Sequence, residues 1–231
     1  MMKQVSTGWP GRRRAVLAAG LVALSAIVFM SACQSVPRLS DVVADPVKAP
    51  LWLELFDGAS LTGWRASENP DTWGVVDGCL VAHGPRAHLF YVGGGTAQTF
   101  KDFELEVEVL TEPKSNSGIF VHTEYQEEGW PAKGIECQIN NSFPPDPRRT
   151  GSIYGIQDIA EVLAWDNIWW RMRIRIQGSR LQVYVNDVLI NDYTEPDDAE
   201  PKRLSSGTIA LQAHDPDSVV RYRRVRLRPL G

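Results

Sequence analysis

The sequence predicts an all-β protein whose strands form a two-sheet antiparallel sandwich or jelly roll. Apolar residues recur at every second position through most of residues 51–231, which is the period of a strand with one buried face. The alternating segments are short, and residues typical of turns lie between them. One weak helical candidate, residues 156–163, fits a loop equally well. Many short strands separated by turns indicate two packed sheets.

The first 33 residues resemble a bacterial lipoprotein signal peptide. Three arginines at 12–14 precede an uncharged run over residues 15–30, and small residues precede Cys33. The uncharged run is shorter than the ~20 residues that a membrane-spanning helix needs. We therefore expect cleavage before Cys33 and lipidation of its thiol, which would anchor the chain in the cell envelope. By the same resemblance, Gln34 implies the outer membrane, facing the periplasm.

Residues 34–50 contain three prolines and no aromatic residue, which indicates a linker before a single domain at 51–231. Removing residues 1–32 takes away four basic residues and no acidic one, so the formal net charge changes from -4 to -8. The acidic balance, without a basic patch, argues against a nucleic-acid partner. It favours neutral ligands over polyanions.

Two cysteines remain once Cys33 is assigned to lipid. An oxidising compartment would permit a disulfide between Cys79 and Cys137. Each lies in an apolar strand pattern, so two separate buried thiols are the interpretation that we prefer.

The clearest alternating segments predict the strands in chain order. Asp77-Gly78 is typical of a two-residue hairpin turn, and the residues at 177–180 join a second pair of strands. The predicted strands are 73–76, 79–81, 103–109, 116–122, 135–140, 171–176, 181–185, 188–190, 208–214 and 219–227.

Two of these strands carry opposite charges on their polar faces. Glutamates alternate with apolar residues over 103–109, and arginines do so over 219–228. The arginine pattern slips by one position at Arg223-Arg224, which predicts a β-bulge. We expect the two strands to be antiparallel neighbours, with Glu and Arg paired on the solvent side of the sandwich.

Residues 116–155 carry the candidate binding face, opposite to that charged ladder. In the strand at 135–140, Ile135, Cys137 and Ile139 share one face, and the intervening residues share the other. The strand before it is split in the same way. The predicted polar wall consists of Asn116, His122, Glu136 and Gln138. A solvated outer face is the alternative, but amides, a histidine and flanking aromatics are more typical of sugar sites.

The candidate site residues divide by chemistry. Groups that can carry a proton are the catalytic candidates: His122, Glu136 and His214. Candidate hydrogen-bond donors to substrate are Asn116, Lys133, Gln138 and Gln212, and candidate stacking residues are Trp130 and Tyr154. Each has a structural alternative, since His122 fits an exposed strand position, His214 a loop cap, and the aromatics a core plug.

A loop with Asn140, Asn141 and Asp146 offers oxygen ligands that a divalent cation could use. The ligands have no tight spacing, so turn formation is the preferred interpretation. No cofactor is otherwise predicted.

The order of motifs also resembles the 3-keto-disaccharide hydrolase family over residues 51–230. The motifs are Leu55-Phe56-Asp57-Gly58, Gly63-Trp64, 116–120, 134–139, 150–155, 169–193, and Gly207 with Leu211-Gln212 and His214. The resemblance implies a concanavalin A-like jelly roll that acts on glycosides oxidised to a ketone at C3. The sequence departs from the family pattern in Cys137, where an aliphatic residue is common, and in His214-Asp215-Pro216, where His-Gly is usual.

The glycosidic bond of a 3-keto sugar can be cleaved by a reaction that needs only one carboxyl group. Ordinary glycosidases use two carboxylates across the scissile bond, whereas the central strand offers Glu136 and Gln138, and Gln138 cannot ionise. A C3 ketone acidifies the C2 proton, so a base can form an enolate, the glycosidic oxygen can leave, and water can add. The alternative is a carbohydrate-binding jelly roll without catalysis. An enzyme of this kind needs a sugar 3-dehydrogenase to supply its substrate.

Overall fold

The fold is a two-sheet antiparallel sandwich, which confirms the all-β jelly-roll prediction. The computed structural model describes residues 51–94 and 98–231. The predicted signal peptide and linker, including Cys33, lie outside these residues. Within them, no helix has the length and apolar character needed to span a bilayer.

Thirteen strands form within the described residues. They are β1 (Leu53–Glu54), β2 (Trp64–Ala66), β3 (Trp73–Val76), β4 (Cys79–His83), β5 (Ala87–Tyr91), β6 (Phe103–Thr111), β7 (Ser117–Thr123), β8 (Ile135–Ile139), β9 (Trp170–Gln177), β10 (Arg180–Val185), β11 (Val188–Thr194), β12 (Thr208–Ala213) and β13 (Val219–Pro229). The larger sheet has the order β11-β10-β9-β6-β13-β4-β3, with β1 paired to β13. The smaller sheet has the order β2-β5-β12-β7-β8.

Short turns join consecutive strands where the sequence predicts them. Asp77 and Gly78, between β3 and β4, adopt φ of 51° and 75°, the left-handed pair that a tight hairpin requires. β9 and β10 pair as a second hairpin around Gly178. Residues 156–163 form a loop and not a helix.

The apolar faces of the two sheets pack against each other to form the core. From β6, alternate residues from Phe103 to Val109 are fully buried, and from β8 so are Cys137 and Ile139. Cys79 and Cys137 are both free and buried, which confirms two separate thiols.

Strand β5 has no counterpart among the predicted strands. All five of its residues, Ala87-His88-Leu89-Phe90-Tyr91, are buried or half-buried. Apolar and polar residues alternate only in a strand that has one solvent-exposed face. Strand β5 has no such face, because Phe120 and Tyr125 cover its outer side.

The predicted pairing of the glutamate-rich and arginine-rich strands is confirmed. β6 and β13 are antiparallel neighbours in the larger sheet. The facing residues are Glu104 with Arg228, Glu106 with Arg226, and Glu108 with Arg223. The register shifts between Arg223 and Arg226, where Arg224 adopts φ 49°, so the predicted bulge is also confirmed.

The carboxylates of this ladder are more buried than predicted for a solvent-facing row. Glu104 and Glu106 are 7% and 6% exposed. The reason is that β9, on the other side of β6, also carries arginines: Arg173 lies 3.6 Å from Glu104, and Arg171 lies 3.9 Å from Glu106. Arginines on both sides, with Trp52 packed on those of β13, cover the carboxylates.

Glu106→Gln is expected to lower the free energy of unfolding by about 1.5–3 kcal/mol, the contribution of hydrogen bonds to a charged group. Glu106 accepts hydrogen bonds from Arg226 at 3.0 and 2.6 Å, and its loss leaves part-buried arginines without a counter-charge. Chemical denaturation measures the change. Glu127→Gln is the control, because Glu127 and Arg65 form an exposed pair worth under about 1 kcal/mol. Equal effects of the two substitutions would contradict the expectation.

Candidate functional site

The candidate site is a cavity of about 480 Å³ on the face of the smaller sheet that points away from the core. Strands β7, β8 and β12 supply its floor, and the loops that precede and follow β8 and precede β12 supply its walls. Its lining residues are Asn116, Phe120, Trp130, Pro131, Ala132, Lys133, Gly134, Glu136, Gln138, Asp146, Tyr154, Pro201, Lys202, Arg203, Gln212 and His214. All predicted site residues except His122 are among them.

Strand register explains why these residues meet. Phe120 lies opposite Glu136, and Gly118 lies opposite Gln138, in the antiparallel pair of β7 and β8. β12 runs along the other side of β7 and brings Gln212 to the same face. The alternation predicted for β8 holds throughout, because Ile135, Cys137 and Ile139 are in the core.

The prediction that His122 lies on this polar wall is wrong. The pairing of β7 with β12 shifts by one residue between Thr208 and Ala210, and His122 adopts φ 54° at this irregularity. Its ring turns away from the cavity and lies 5.7 Å from the ring of Phe103. A bulge of this kind reverses the faces of the residues beyond it.

His122 instead fixes a loop. Its Nδ1 accepts a hydrogen bond from the backbone N–H of Ser205 at 3.1 Å, so the proton is on Nε2, which donates to the carbonyl of Lys101 at 2.8 Å. Burial lowers the pKa of His122. The neutral ring is therefore a structural group next to the site.

Glu136 is the central group of the cavity. Its Oε1 accepts a hydrogen bond from Gln212 Nε2 at 2.9 Å. The carboxyl group leans over Gly118, and a Cβ atom at Gly118 would overlap it. Burial raises the pKa of Glu136 to about 8, against the opposing effect of the Gln212 hydrogen bond, and the charge of Asp146 adds to the rise.

A second amide completes the surroundings of this carboxyl group. Oriented by its acceptors, the Gln138 amide nitrogen donates to Glu136 Oε1 at 3.1 Å and to the Ser117 carbonyl at 3.2 Å. Its oxygen then faces the Asn116 side chain at 3.0 Å. Gln138 and Gln212 thus hold Glu136 in one orientation.

His214 lies at the end of β12 and is paired with the residue that follows it. Its Nδ1 is 2.8 Å from Asp215 Oδ2, and Ser218 also donates to Asp215. Burial alone would raise the pKa of Asp215, but these hydrogen bonds outweigh it and lower the pKa. The ionised carboxylate holds the proton on Nδ1, which leaves Nε2 of His214 to exchange a proton with a ligand.

Trp130 offers the cavity a flat, half-exposed surface. Its side chain is 46% exposed, and its ring lies 5.4 Å from that of His214 and 5.5 Å from that of His88. The guanidinium of Arg86 packs on it at 5.0 Å. A half-exposed aromatic ring that is fixed by such neighbours can stack on a sugar. Tyr154, 38% exposed, is a second such surface.

The loop after β8 uses its polar groups internally. Asn140 Oδ1 accepts from the backbone N–H of Phe143 at 2.8 Å, and Asn141 Oδ1 accepts from Thr150 at 2.6 Å. Asp146 Oδ1 accepts from the N–H of Arg148 at 2.9 Å. These bonds support the turn interpretation, and the described residues contain no group of three or more acidic, His or Cys side chains that could hold a metal ion.

Comparison with known proteins identifies the family. A model of the 3-keto-alpha-glucoside-1,2-lyase-like domain matches residues 51–228. The chain belongs to this family. A 3-keto-disaccharide hydrolase from Bacteroides thetaiotaomicron is 36% identical over 89 residues, which cover 32% of this chain and 28% of that protein. The match therefore spans less than a third of that relative.

Solved structures resemble this lyase-like domain in fold. A candidate glycosyl hydrolase from Parabacteroides distasonis has a TM-score of 0.65 and 19% identity, and covers 78% of this chain and 94% of that one. The carbohydrate-binding module CBM66 from Bacillus subtilis has a TM-score of 0.53 and 13% identity, and covers 74% and 98%. At these identities the likeness concerns the fold alone.

Sequence reasoning missed several residues around the site of this lyase-like domain. His88 lies opposite Gln212 in the pair of β5 and β12, is fully buried, and has no hydrogen bond to either ring nitrogen. Burial lowers the pKa of His88 to about 4, so the ring is a neutral support beneath Trp130. Lys202 and Arg203 line the cavity but lie in a loop with no alternating pattern.

Proposed function

We propose that this chain is an enzyme that cleaves the glycosidic bond of 3-keto-glycosides by removal of the C2 proton, elimination and hydration. The observation that carries the proposal is Glu136, a buried carboxyl group with a pKa of about 8 held by two amides. A pKa near the working pH suits a group that takes and returns a proton. Family membership and the name of the Bacteroides relative support a 3-keto sugar as substrate.

In the first step, the ionised Glu136 takes the proton from C2, and the electron pair of that bond forms the enolate with the C3 oxygen. The enolate then collapses, the C1–O bond breaks, and its electrons leave with the aglycone oxygen. His214, as the imidazolium, gives that oxygen a proton from Nε2. Water adds to C1 of the resulting enone while His214 Nε2 takes the proton that the water loses, and Glu136, whose proton exchanges with solvent, protonates C2.

A double displacement with two carboxylates suits this cavity less well. Of the residues that line it, only Glu136 and Asp146 carry carboxyl groups. Asp146 is bound to the backbone and side chain of Arg148, at 2.9 and 3.4 Å. Gln138, which follows Glu136 on the same face, donates hydrogen bonds and cannot act as acid or nucleophile. Trp130 and Tyr154 would stack on sugar, and Lys133 would assist as a donor.

The test is turnover of a 3-keto-glycoside and of its unoxidised parent by the full chain, with sugar release measured in D₂O. We expect release from the oxidised substrate alone, and deuterium at C2 of the hydrated product. Release from both substrates without deuterium at C2 would refute the mechanism. Binding of sugars without any release would establish the carbohydrate-binding alternative.

The N-terminal segment is the basis of a second proposal, the lipid anchor. We expect mass spectrometry of the protein from a bacterial envelope fraction to show loss of residues 1–32 and a lipid on Cys33, because the charged, apolar and small-residue order fits a lipoprotein signal. Cys33→Ser should release the protein from the membrane fraction. An unmodified Cys33 or an intact Met1 would contradict it. A sugar 3-dehydrogenase in the same compartment would supply the substrate.

A further inference from the structure

The charge of the cavity lining is opposite in sign to the net charge of the chain. The formal net charge is -4 overall and -8 without residues 1–32. The cavity, in contrast, is lined by three cations: Lys133, Lys202 and Arg203. Its acidic residues are Glu136, which is mostly protonated at neutral pH because its pKa is about 8, and Asp146, which is paired with Arg148. The cavity is therefore locally positive in an acidic protein, an arrangement that concentrates anions.

The segments that carry the three cations come together at one end of β7, the cationic end of the cavity. Lys133 precedes Gly134, whose close approach to the backbone of Val121 and His122 leaves no room for a Cβ atom. The positive charge of Lys133 contributes, after burial, to the lowered pKa of His122. Since His122 also binds Ser205, both cationic segments meet at this end of β7.

The backbone that carries Lys202 and Arg203 is held in place by buried side chains. Glu195 is 3% exposed, and its carboxylate accepts from the N–H of Arg203 at 2.7 Å and from that of Leu204 at 3.1 Å. The next N–H, of Ser205, is the one bound by His122. Three successive backbone groups are thus fixed, so the loop presents its two cations to the cavity on an anchored base.

These cations have few partners in the protein. Lys133 pairs with the exposed Glu124 at 3.3 Å, whereas Lys202 and Arg203 form no ion pair with any residue in the ranges 51–94 and 98–231. Their segments attach at Val121 and His122, beyond the point where Phe120 lies opposite Glu136 in the pair of β7 and β8.

We propose that this cationic end binds an anionic group, such as a carboxylate, sulfate or phosphate, on the aglycone of the 3-keto-glycoside. The inference rests on the proposed function and narrows its substrate class. A charge held away from Glu136 acts on a part of the substrate remote from C2. It differs from the expectation, drawn from net charge alone, that ligands are neutral.

The test compares 4-carboxyphenyl 3-keto-glucoside with its neutral amide, 4-carbamoylphenyl 3-keto-glucoside, in the same anomeric form. We expect a kcat/KM at least about tenfold higher for the carboxylate, the effect of one charge-assisted hydrogen bond, with the preference weakening at high salt. The 4-carbamoylphenol aglycone is a better leaving group than the 4-carboxyphenol aglycone, so leaving-group ability does not explain a preference for the carboxylate. Arg203→Gln and Lys202→Gln should each reduce the ratio.

Arg175→Gln is the matched control, because it removes one positive charge from β9 in the other sheet and should leave the ratio unchanged. Equal kcat/KM for the two substrates would overturn the proposal. An equal fall in kcat for both substrates in Arg203→Gln would also overturn it, since it would assign the cation to the enolate.

Calorimetry with the two unoxidised parent glucosides separates this inference from the proposed function. Tighter binding of the carboxylate, lost in Arg203→Gln, supports the anion site even where no 3-keto-glycoside is cleaved. Equal binding of carboxylate and amide, with normal turnover of 3-keto substrates, overturns the anion site and leaves the proposed function standing.

Discussion

Glu136→Gln is expected to lower kcat for a 3-keto-glycoside by about a hundredfold or more, the contribution of a general acid or base. The substitution keeps the shape of the side chain and removes its ability to take the C2 proton. Steady-state kinetics measure the loss, and Glu161→Gln, at an exposed loop position, is the control. Wild-type turnover by Glu136→Gln would exclude Glu136 from the mechanism.

The pH dependence distinguishes the two roles open to Glu136. As a base it must be ionised, so kcat/KM should show a limb that rises with pH, with an apparent pKa of about 8. As an acid it must be protonated, so kcat/KM would fall through the same pH. The proposed elimination requires the rising limb, and that limb should be absent from the residual activity of Glu136→Gln.

The raised pKa of Glu136 also makes it possible to distinguish a loss of catalysis in Glu136→Gln from a loss of folding stability. A carboxyl group with a pKa of 4.5 in the unfolded chain and about 8 in the folded one binds its proton more tightly in the folded state. Its contribution to the free energy of unfolding therefore falls as pH rises from about 4.5 to about 8. Glu136→Gln lacks this dependence and should be at least as stable as the wild type at pH 8.

Regular alternation made much of the fold and site predictable. The faces of β8 follow from the period of a strand, so Glu136 and Gln138 could be placed on one wall without coordinates. The bulge in β13 was predictable because it leaves a mark in the sequence, the slip at Arg223-Arg224. A slip is visible only where charged and apolar residues alternate on both sides of it.

Three features left no such mark. His122 lies in strand β7, in which every residue is buried on both faces of the sheet, so a change of face there is not marked by a contrast in burial. β5 is buried on both sides, which conceals its period. Lys202 and Arg203 reach the cavity because Glu195 and His122 bind their loop, and the contact between His122 and Ser205, which are 83 residues apart, is set by tertiary packing.

Gly118→Ala is expected to lower kcat/KM by about a hundredfold, the cost of a catalytic group displaced by about 1 Å. A Cβ atom built on Gly118 overlaps Glu136 Oε1 and lies 2.8 and 2.9 Å from its Cγ and Cδ. The carboxyl group is the movable partner, so it must swing away and lose its hydrogen bond from Gln212. The strand itself can remain paired, because Gly118 does not have a positive φ.

The displaced carboxyl group should also become more hydrated, which would move the apparent pKa of the rising limb down from about 8 towards its ordinary value. Gly74→Ala is the matched control, since Gly74 lies in strand β3 of the other sheet and an added Cβ meets no atom within 4 Å. It should retain wild-type kinetics. Wild-type kcat/KM in Gly118→Ala, with the limb still near pH 8, would show that the position of the Glu136 carboxyl group over Gly118 is not the one used in catalysis.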